Sequence, residues 1–310
     1  MTLAVLPRRR ALRTGALAAV AALTLAACGG GETSGAAQAT TTADPENRQR
    51  VTIGVTDQSK DYWRTFEDLA AEEGIDVELV NFTDYQQPNP QLSQGQLDLN
   101  QFQHLLFLAN YNVEAGEDLV AIGSTAIYQL GLYTTKGYAS PDEIPDGGQV
   151  AIPNDPTNQA RALLVLQSAG LVELADGGNA LSTPADVLEG SRVEVVPVDA
   201  NQTPVQLQSL DAAVINNNFA SDAGIDPTTA IYSDLDDQSA AEPYINVFAA
   251  RAEDADNPLF EQVVEIYHSP EVVQGLLDES AGTAVDVDLG ADELAGILSG
   301  LEEDITAAQG

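Results

Sequence analysis

From Val51 onward, short runs of β-branched and apolar residues alternate with segments of helical period, and this alternation narrows the fold more than any other feature of the chain. Val51-Thr52-Ile53-Gly54-Val55-Thr56 reads as a buried strand. Residues 60–73 place Tyr62, Trp63, Phe66, Leu69 and Ala70 on one helical face, and residues 76–81 form the next strand. The pattern predicts a helix at 90–95, a strand at 97–100, a helix from Gln101, and strands near 119–122 and 127–133. A second series follows, with strand 149–152, helix 158–169, strand 193–198, helix 204–210 and strand 212–216. A return strand at 244–249 leads into helices near 258–268, 270–278 and 291–305, the last with Leu294, Ile297, Leu298, Leu301 and Ile305 at helical spacing. Strands alternating with helices imply mostly parallel sheets covered on both faces. Two such series with a late return strand predict an α/β protein of two lobes, the chain crossing outward near 125–135 and back near 235–246. Ligands of such sheets sit at the carboxyl ends of strands, so a cleft between the lobes collects loops from both. No repeat of fixed period is present.

The first 50 residues have a different character. Arg8, Arg9, Arg10 and Arg13 precede a charge-free apolar stretch from Ala16 to Ala27, which ends in Leu25-Ala26-Ala27-Cys28. A basic start, an apolar middle and small residues at the end are the layout of an export signal. About a dozen apolar residues are too few to span a bilayer, which needs ~20. The sole cysteine at that point resembles the lipobox of bacterial lipoproteins, which implies that Cys28 is lipidated (palmitate among its chains) and becomes the mature N-terminus. Residues 1–27 are then a signal peptide. Residues 28–50, rich in Gly, Ser, Thr, Ala and Gln, are a flexible tether with a mean reach of about 25 Å. The expected location is the extracytoplasmic face of the cell membrane.

Charge excludes several partners. Without the four arginines of residues 1–27, eight of the twelve basic residues remain against 48 acidic ones, a net charge of about −40. Nucleic-acid binding requires clustered Lys and Arg, and such a surface repels both a phosphate backbone and anionic headgroups. Membrane attachment is therefore expected from acyl chains. Only two lysines occur, Lys60 and Lys136. With Cys28 committed to lipid no disulfide forms, and ~260 residues bury a sufficient core without one.

The chain carries no G-x-S-x-G, no P-loop and no G-x-G-x-x-G after a strand, and its two histidines, His104 and His268, lack metal-ligand spacing. Binding without turnover, cofactor or metal is the expectation. Four segments look over-specified for a scaffold. Residues 81–89 (NFTDYQQPN), directly after a strand, contain Tyr85; an aromatic turn is the plain alternative. Residues 97–104 (LDLNQFQH) bring Phe102 and His104 to a strand–helix junction, where a histidine can equally be a capping residue. Residues 152–161 (IPNDPTNQAR) run from strand end through a turn, with Thr157 as N-cap and Arg161 in the first turn of an apolar helix. A cation there opposes the helix field and calls for an anion, either a ligand or one of the many acids nearby. Residues 213–220 (AVINNNFA) end a strand in asparagines, and residues 243–246 (PYIN) follow later; asparagines at strand ends also serve as turn formers.

In this order the segments resemble the substrate-binding lipoproteins of methionine ABC importers, the NlpA/MetQ-like family, and the likeness runs from about Val51 to His268. It rests on FTDYQQPN, LDLNQFQH, IPNDPTNQARALLVLQSAGL, AAVINNNFA and PYIN. The resemblance implies a two-lobed periplasmic-binding-protein fold of type II-like architecture, with mixed sheets, helices on both faces and two interlobe crossovers. It implies one lobe from residues 51–130 plus 241–310 and the other from 131–240. It further implies a monomer that closes on a free amino acid, L-methionine first, and passes it to an importer permease. By motif position Arg161 would hold the ligand carboxylate, and Asn216 and Asn246 would address ammonium and carboxylate. Tyr85, Phe102 and His104 would line the side-chain pocket. A thioether packs well against aromatic rings, and a buried zwitterion needs fixed polar partners. One departure stands out. Where the family usually has a Gly-Pro-His-like loop after the first strand, this chain reads Thr56-Asp57-Gln58-Ser59-Lys60-Asp61-Tyr62-Trp63. The alternatives are a receptor for another amino acid or a short peptide, and a surface lipoprotein with an adhesive or signalling role.

Overall fold

The computed structural model describes residues 48–234 and 241–309. The export signal, Cys28 and the tether up to residue 47 lie outside them. In chain order the elements are β1 (Gln49–Val55), α1 (Asp61–Glu72), β2 (Ile75–Asn81), α2 (Pro88–Ser93), β3 (Leu99–His104), α3 (Leu105–Ala115), β4 (Val120–Ser124), β5 (Ala126–Tyr128) and β6 (Leu130–Tyr133). They continue with β7 (Gly148–Pro153), α4 (Pro156–Ser168), β8 (Val193–Val198), α5 (Thr203–Gln206), β9 (Ala212–Asn216), α6 (Asn217–Asp222) and β10 (Tyr232–Ser233). The chain ends in β11 (Asn246–Ala250), α7 (Pro258–Tyr267), α8 (Pro270–Glu279), β12 (Ala284–Asp286) and α9 (Ala291–Gln309).

Two mixed five-stranded sheets organise the two lobes. The first has the order β2-β1-β3-β11-β4, with β1 parallel to β2 and β3, and β11 antiparallel to β3 and β4. The second has the order β10-β6-β9-β7-β8, with β7 parallel to β8 and β9, and β6 antiparallel to β9. Between them β5 pairs with β12 where the chain passes from one sheet to the other.

The period-2 pattern of β1 explains its place in the first sheet. Val51, Ile53 and Val55 face a fully buried layer built with α1, α7 and α8, in which Phe66, Tyr267 and Phe248 pack edge to face. Each such aromatic pair contributes ~0.5–1.5 kcal/mol beyond area burial. On the opposite face Gly54 is required by a close approach, because a Cβ there would stand 2.6 Å from Leu97 Cδ1. Strand β11 alternates likewise: Phe248 and Ala250 join the first layer, while Val247 and Ala249 pack with α3 and α9 through Leu105, Leu108, Leu294 and Leu298. The second sheet is also covered on both faces, by Leu163 and Leu166 of α4 on one side and by Leu207 and Phe219 on the other.

Several boundaries differ from the sequence expectation for identifiable reasons. Strand β3 does not yield to a helix at Gln101 but runs to His104, because β11 pairs with it across Gln101, Gln103 and His104. Residues 127–133 are not one strand: β5 pairs with β12 and β6 with β9, and Gln129 between them is tied to Thr283 O by its backbone N–H. Helix α4 starts at Pro156, and its cap is Asp155, not Thr157; Asp155 Oδ1 accepts from Asn158 N at 3.0 Å. Arg161 consequently sits in the second turn, where the helix field is weak, and its own contacts decide its state.

Candidate ligand-binding cleft

Strand register carries the candidate residues to one place. His104, the last residue of β3, lies opposite Asn246, the first of β11. Phe102, two residues earlier on β3, is the extra residue where the β3–β11 register shifts between Gln101 and Gln103, and it borders the same cavity as His104. Tyr85 comes from the loop after β2. From the second sheet, Asn216 ends β9 opposite Leu130 of β6, and Arg161 projects from α4 beside it. All six border a single cavity, together with Asn158, Phe107, Gln129 and the loop residues Thr56, Asp57 and Lys60.

The polar end is built as a relay. Asp155 Oδ1 accepts from Asn158 Nδ2 at 2.9 Å, and Asn158 Oδ1 accepts from Asn216 Nδ2 at 2.8 Å. This fixes the Asn216 amide, whose Oδ1 is buried and has no hydrogen-bond partner among the described residues. His104 caps α3 with Nδ1, which accepts from Phe107 N at 3.1 Å. That bond needs a lone pair on Nδ1, so the ring proton resides on Nε2. Nε2 is likewise buried and without a partner among the described residues. Burial, and secondarily the charge of Arg161, lower the His104 pKa to about 3, so the ring is neutral at physiological pH. The cavity thus presents one buried donor and one buried acceptor without a hydrogen-bond partner among the described residues, with the Asn158 side chain near the His104 ring.

Arg161 is 6% exposed. Its Nε donates to Asp234 Oδ2 at 2.7 Å and its Nη2 to Tyr128 O at 2.8 Å, and the guanidinium carbon lies 4.1 Å from the Tyr244 ring centroid. A neighbouring acid therefore holds one edge of the guanidinium, while the side chain still borders the cavity. Asn246 donates from Nδ2 to Tyr244 O at 3.3 Å.

The apolar end is aromatic. Phe102 lies 6.0 Å from Tyr85 and 5.7 Å, edge to face, from Phe107, and Tyr85 stacks at 4.8 Å on Phe219. His104 stands edge-on to Tyr244 at 5.3 Å. Sequence reasoning missed Phe107 and Asn158. Phe107 stands three residues after His104, the spacing of a helix N3 position; Asn158 sits three after Asp155, the same spacing. Those intervals were the available signals.

The loop that departs from the family pattern forms part of the wall. The Asp57 carboxylate accepts from Tyr62 Oη at 2.6 Å and Trp63 Nε1 at 2.8 Å, and burial raises its pKa. Among the described residues no three His, Cys, Asp or Glu side chains gather as metal ligands, and no helix is long and apolar enough to cross a membrane.

Comparison with known proteins gives concordant matches. The family model for NlpA lipoprotein matches residues 51–287. The D-methionine-binding lipoprotein MetQ of Escherichia coli (strain K12) is 40% identical over 215 residues, covering 68% of this chain and 78% of that protein. Among solved structures, protein PG110 from Staphylococcus aureus superposes with a TM-score of 0.77 at 37% identity, covering 81% of this chain and 99% of that one. The substrate-binding protein of a methionine transporter from Streptococcus pneumoniae gives 0.72 at 36% identity, covering 77% and 95%.

Proposed function

The chain belongs to the NlpA lipoprotein family, and from that premise we propose that it is the receptor that presents methionine to the permease of an ABC importer. Membership makes it a substrate-binding protein and not an enzyme. The observation that carries the ligand assignment is the pair of unused polar atoms, His104 Nε2–H and Asn216 Oδ1, beside a guanidinium and an aromatic cage. A free amino acid supplies the complement. Its carboxylate meets Arg161 and the His104 Nε2–H, and its ammonium donates to Asn216 Oδ1, with Asn246 completing the polar end. A buried donor or acceptor left unmet costs about 1–3 kcal/mol, so ligands lacking either group are rejected. Tyr85, Phe102, Phe107 and the edge of His104 receive the side chain, where a flexible thioether fills space between rings.

In this reading residues 1–27 direct export, lipid on Cys28 holds the protein to the extracytoplasmic face, and residues 28–50 let a monomer move above the membrane. Residues 51–130 with 241–310 and residues 131–240 are the two lobes that close.

The test is calorimetric titration and thermal unfolding of the detergent-solubilised full-length protein with L-methionine, D-methionine and a panel of other amino acids. A hundredfold excess over Kd stabilises by ~2.7 kcal/mol. A shift with methionine is expected. Absence of a shift with every amino acid overturns the proposal in favour of an adhesive or signalling lipoprotein.

A further inference from the structure

The two lobes touch directly along α6. Asn217 Nδ2 donates to Thr283 Oγ1 and Asn218 Nδ2 to Thr56 Oγ1, both at 3.3 Å. Asn218 Oδ1 accepts from Tyr85 Oη, and Ser221 Oγ accepts from Lys60 Nζ. Lys60 differs from the other members of this seam. It is one of two lysines in a chain of formal net charge −36. It occupies the N-cap of α1 without capping it, a position where the helix field disfavours a cation. Its side chain is 13% exposed, and Nζ lies 3.8 Å from Glu279.

The charges around it explain the placement. Asp57 and Glu279 belong to the first lobe, Asp222 to α6 of the second. Asp57 is pushed upward by burial and by Asp222 across the seam, whereas Lys60 draws both carboxyls downward. Closing the lobes therefore brings like charges together, and Lys60 is the cation set between them. Repulsion of this kind is strong over the ~8 Å Debye length of physiological salt.

We propose that Lys60 is an electrostatic clasp. Its ammonium bonds to Ser221 and neutralises the carboxylates that closure assembles. It thereby sets how much of the protein is closed, by the same factor for every ligand, while discrimination stays with the polar and aromatic ends of the cavity, away from the wall that Lys60 shares with Asp57 and Glu279. A ligand shifts the lobes only by its differential affinity for the closed state, so weakening the clasp lowers all affinities together. The inference rests on the receptor reading for its ligand arm only.

Spin labels at Glu72→Cys and Glu189→Cys, exposed positions on the two lobes, report the lobe separation by pulsed dipolar spectroscopy in the full-length protein. The measurement compares native Lys60, Lys60→Met and Lys60→Arg, without ligand and with saturating L-methionine, at ~0.05 and ~0.5 M salt, where the Debye length falls from about 14 to about 4 Å. Lys60→Met is expected to move population to the longer distance, with high salt restoring part of it, and Lys60→Arg to stay near native. Affinities for all amino acids that bind should fall together, on the order of threefold to tenfold, a change worth about 0.7–1.4 kcal/mol in the closing equilibrium. An unchanged distance distribution in Lys60→Met overturns the clasp. So does the absence of a short distance from the native protein, or a loss confined to one ligand. If no amino acid binds, the ligand-free distributions still decide the matter, so failure of the clasp and failure of the receptor reading remain separable.

Discussion

Asp234 links Arg161 to the start of the second sheet: its Oδ2 accepts from Arg161 Nε at 2.7 Å and its Oδ1 from the backbone N–H of Leu130 at 2.8 Å. The guanidinium is thereby locked in orientation and partly neutralised before any ligand arrives. Arg161→Ala should abolish amino-acid binding and also lower stability by about 1–3 kcal/mol, because a partly buried carboxylate loses its partner. Asp234→Asn keeps an acceptor for one bond but frees the positive charge, so it should retain or tighten binding while lowering Tm. Titration calorimetry with thermal unfolding separates the two; micromolar affinity surviving in Arg161→Ala would remove that residue from the carboxylate site.

Phe102→Ala takes away a ring that contacts Tyr85 and Phe107 at the apolar end. Methionine affinity should drop by about 1–3 kcal/mol. Ligands without a side chain should be little affected. Equal losses for glycine and methionine, measured by competition, would place Phe102 outside the side-chain pocket.

His104 titrates at 6.5 when unperturbed and at about 3 in the folded protein. Between those values the unfolded chain binds a proton that the native state does not, so the stability contributed by the neutral ring is present above pH 6.5 and is lost as pH falls. His104→Asn preserves an acceptor at the N-cap of α3 without this linkage. Denaturant unfolding from pH 7 to pH 4 should show the native protein losing stability more steeply than the variant, by up to a few kcal/mol. Parallel curves would mean that the ring protonates freely.

Cys28→Ala should move the protein from the membrane fraction to the soluble one, since its acidic surface offers no alternative attraction to anionic lipid. Fractionation followed by immunodetection reads the outcome, and a variant that stays with the membrane would show that the anchor lies elsewhere.

Elements whose signal is local were legible before the structure. The buried strand at β7, the apolar face of α1 with Tyr62, Trp63 and Phe66, and the spaced leucines of α9 all declare themselves through period. Features set by distant partners were not. Gln101 and Gln103 look like the start of a helix until β11, some 145 residues later, supplies the strand that pairs with them. Arg161 could be read as wanting an anion, but Asp234 as that anion follows β10, 73 residues on, and has no sequence signature. The six candidate residues border one cavity, and the sequence offered them only as a set, through ordered motifs that resemble a known family. Asn158 and Phe107 escaped notice because each looks like an ordinary member of a helical first turn.

The chain contains a single tryptophan, Trp63, whose indole N–H donates to the Asp57 carboxylate on the cavity wall, 2.8 Å away. Indole emission shifts with the electric field along the ring, so on the proposed reading an amino acid entering the cavity that Asp57 borders should change the colour of the light this protein emits. Occupancy can thus be followed optically in unlabelled material, with no second indole to subtract.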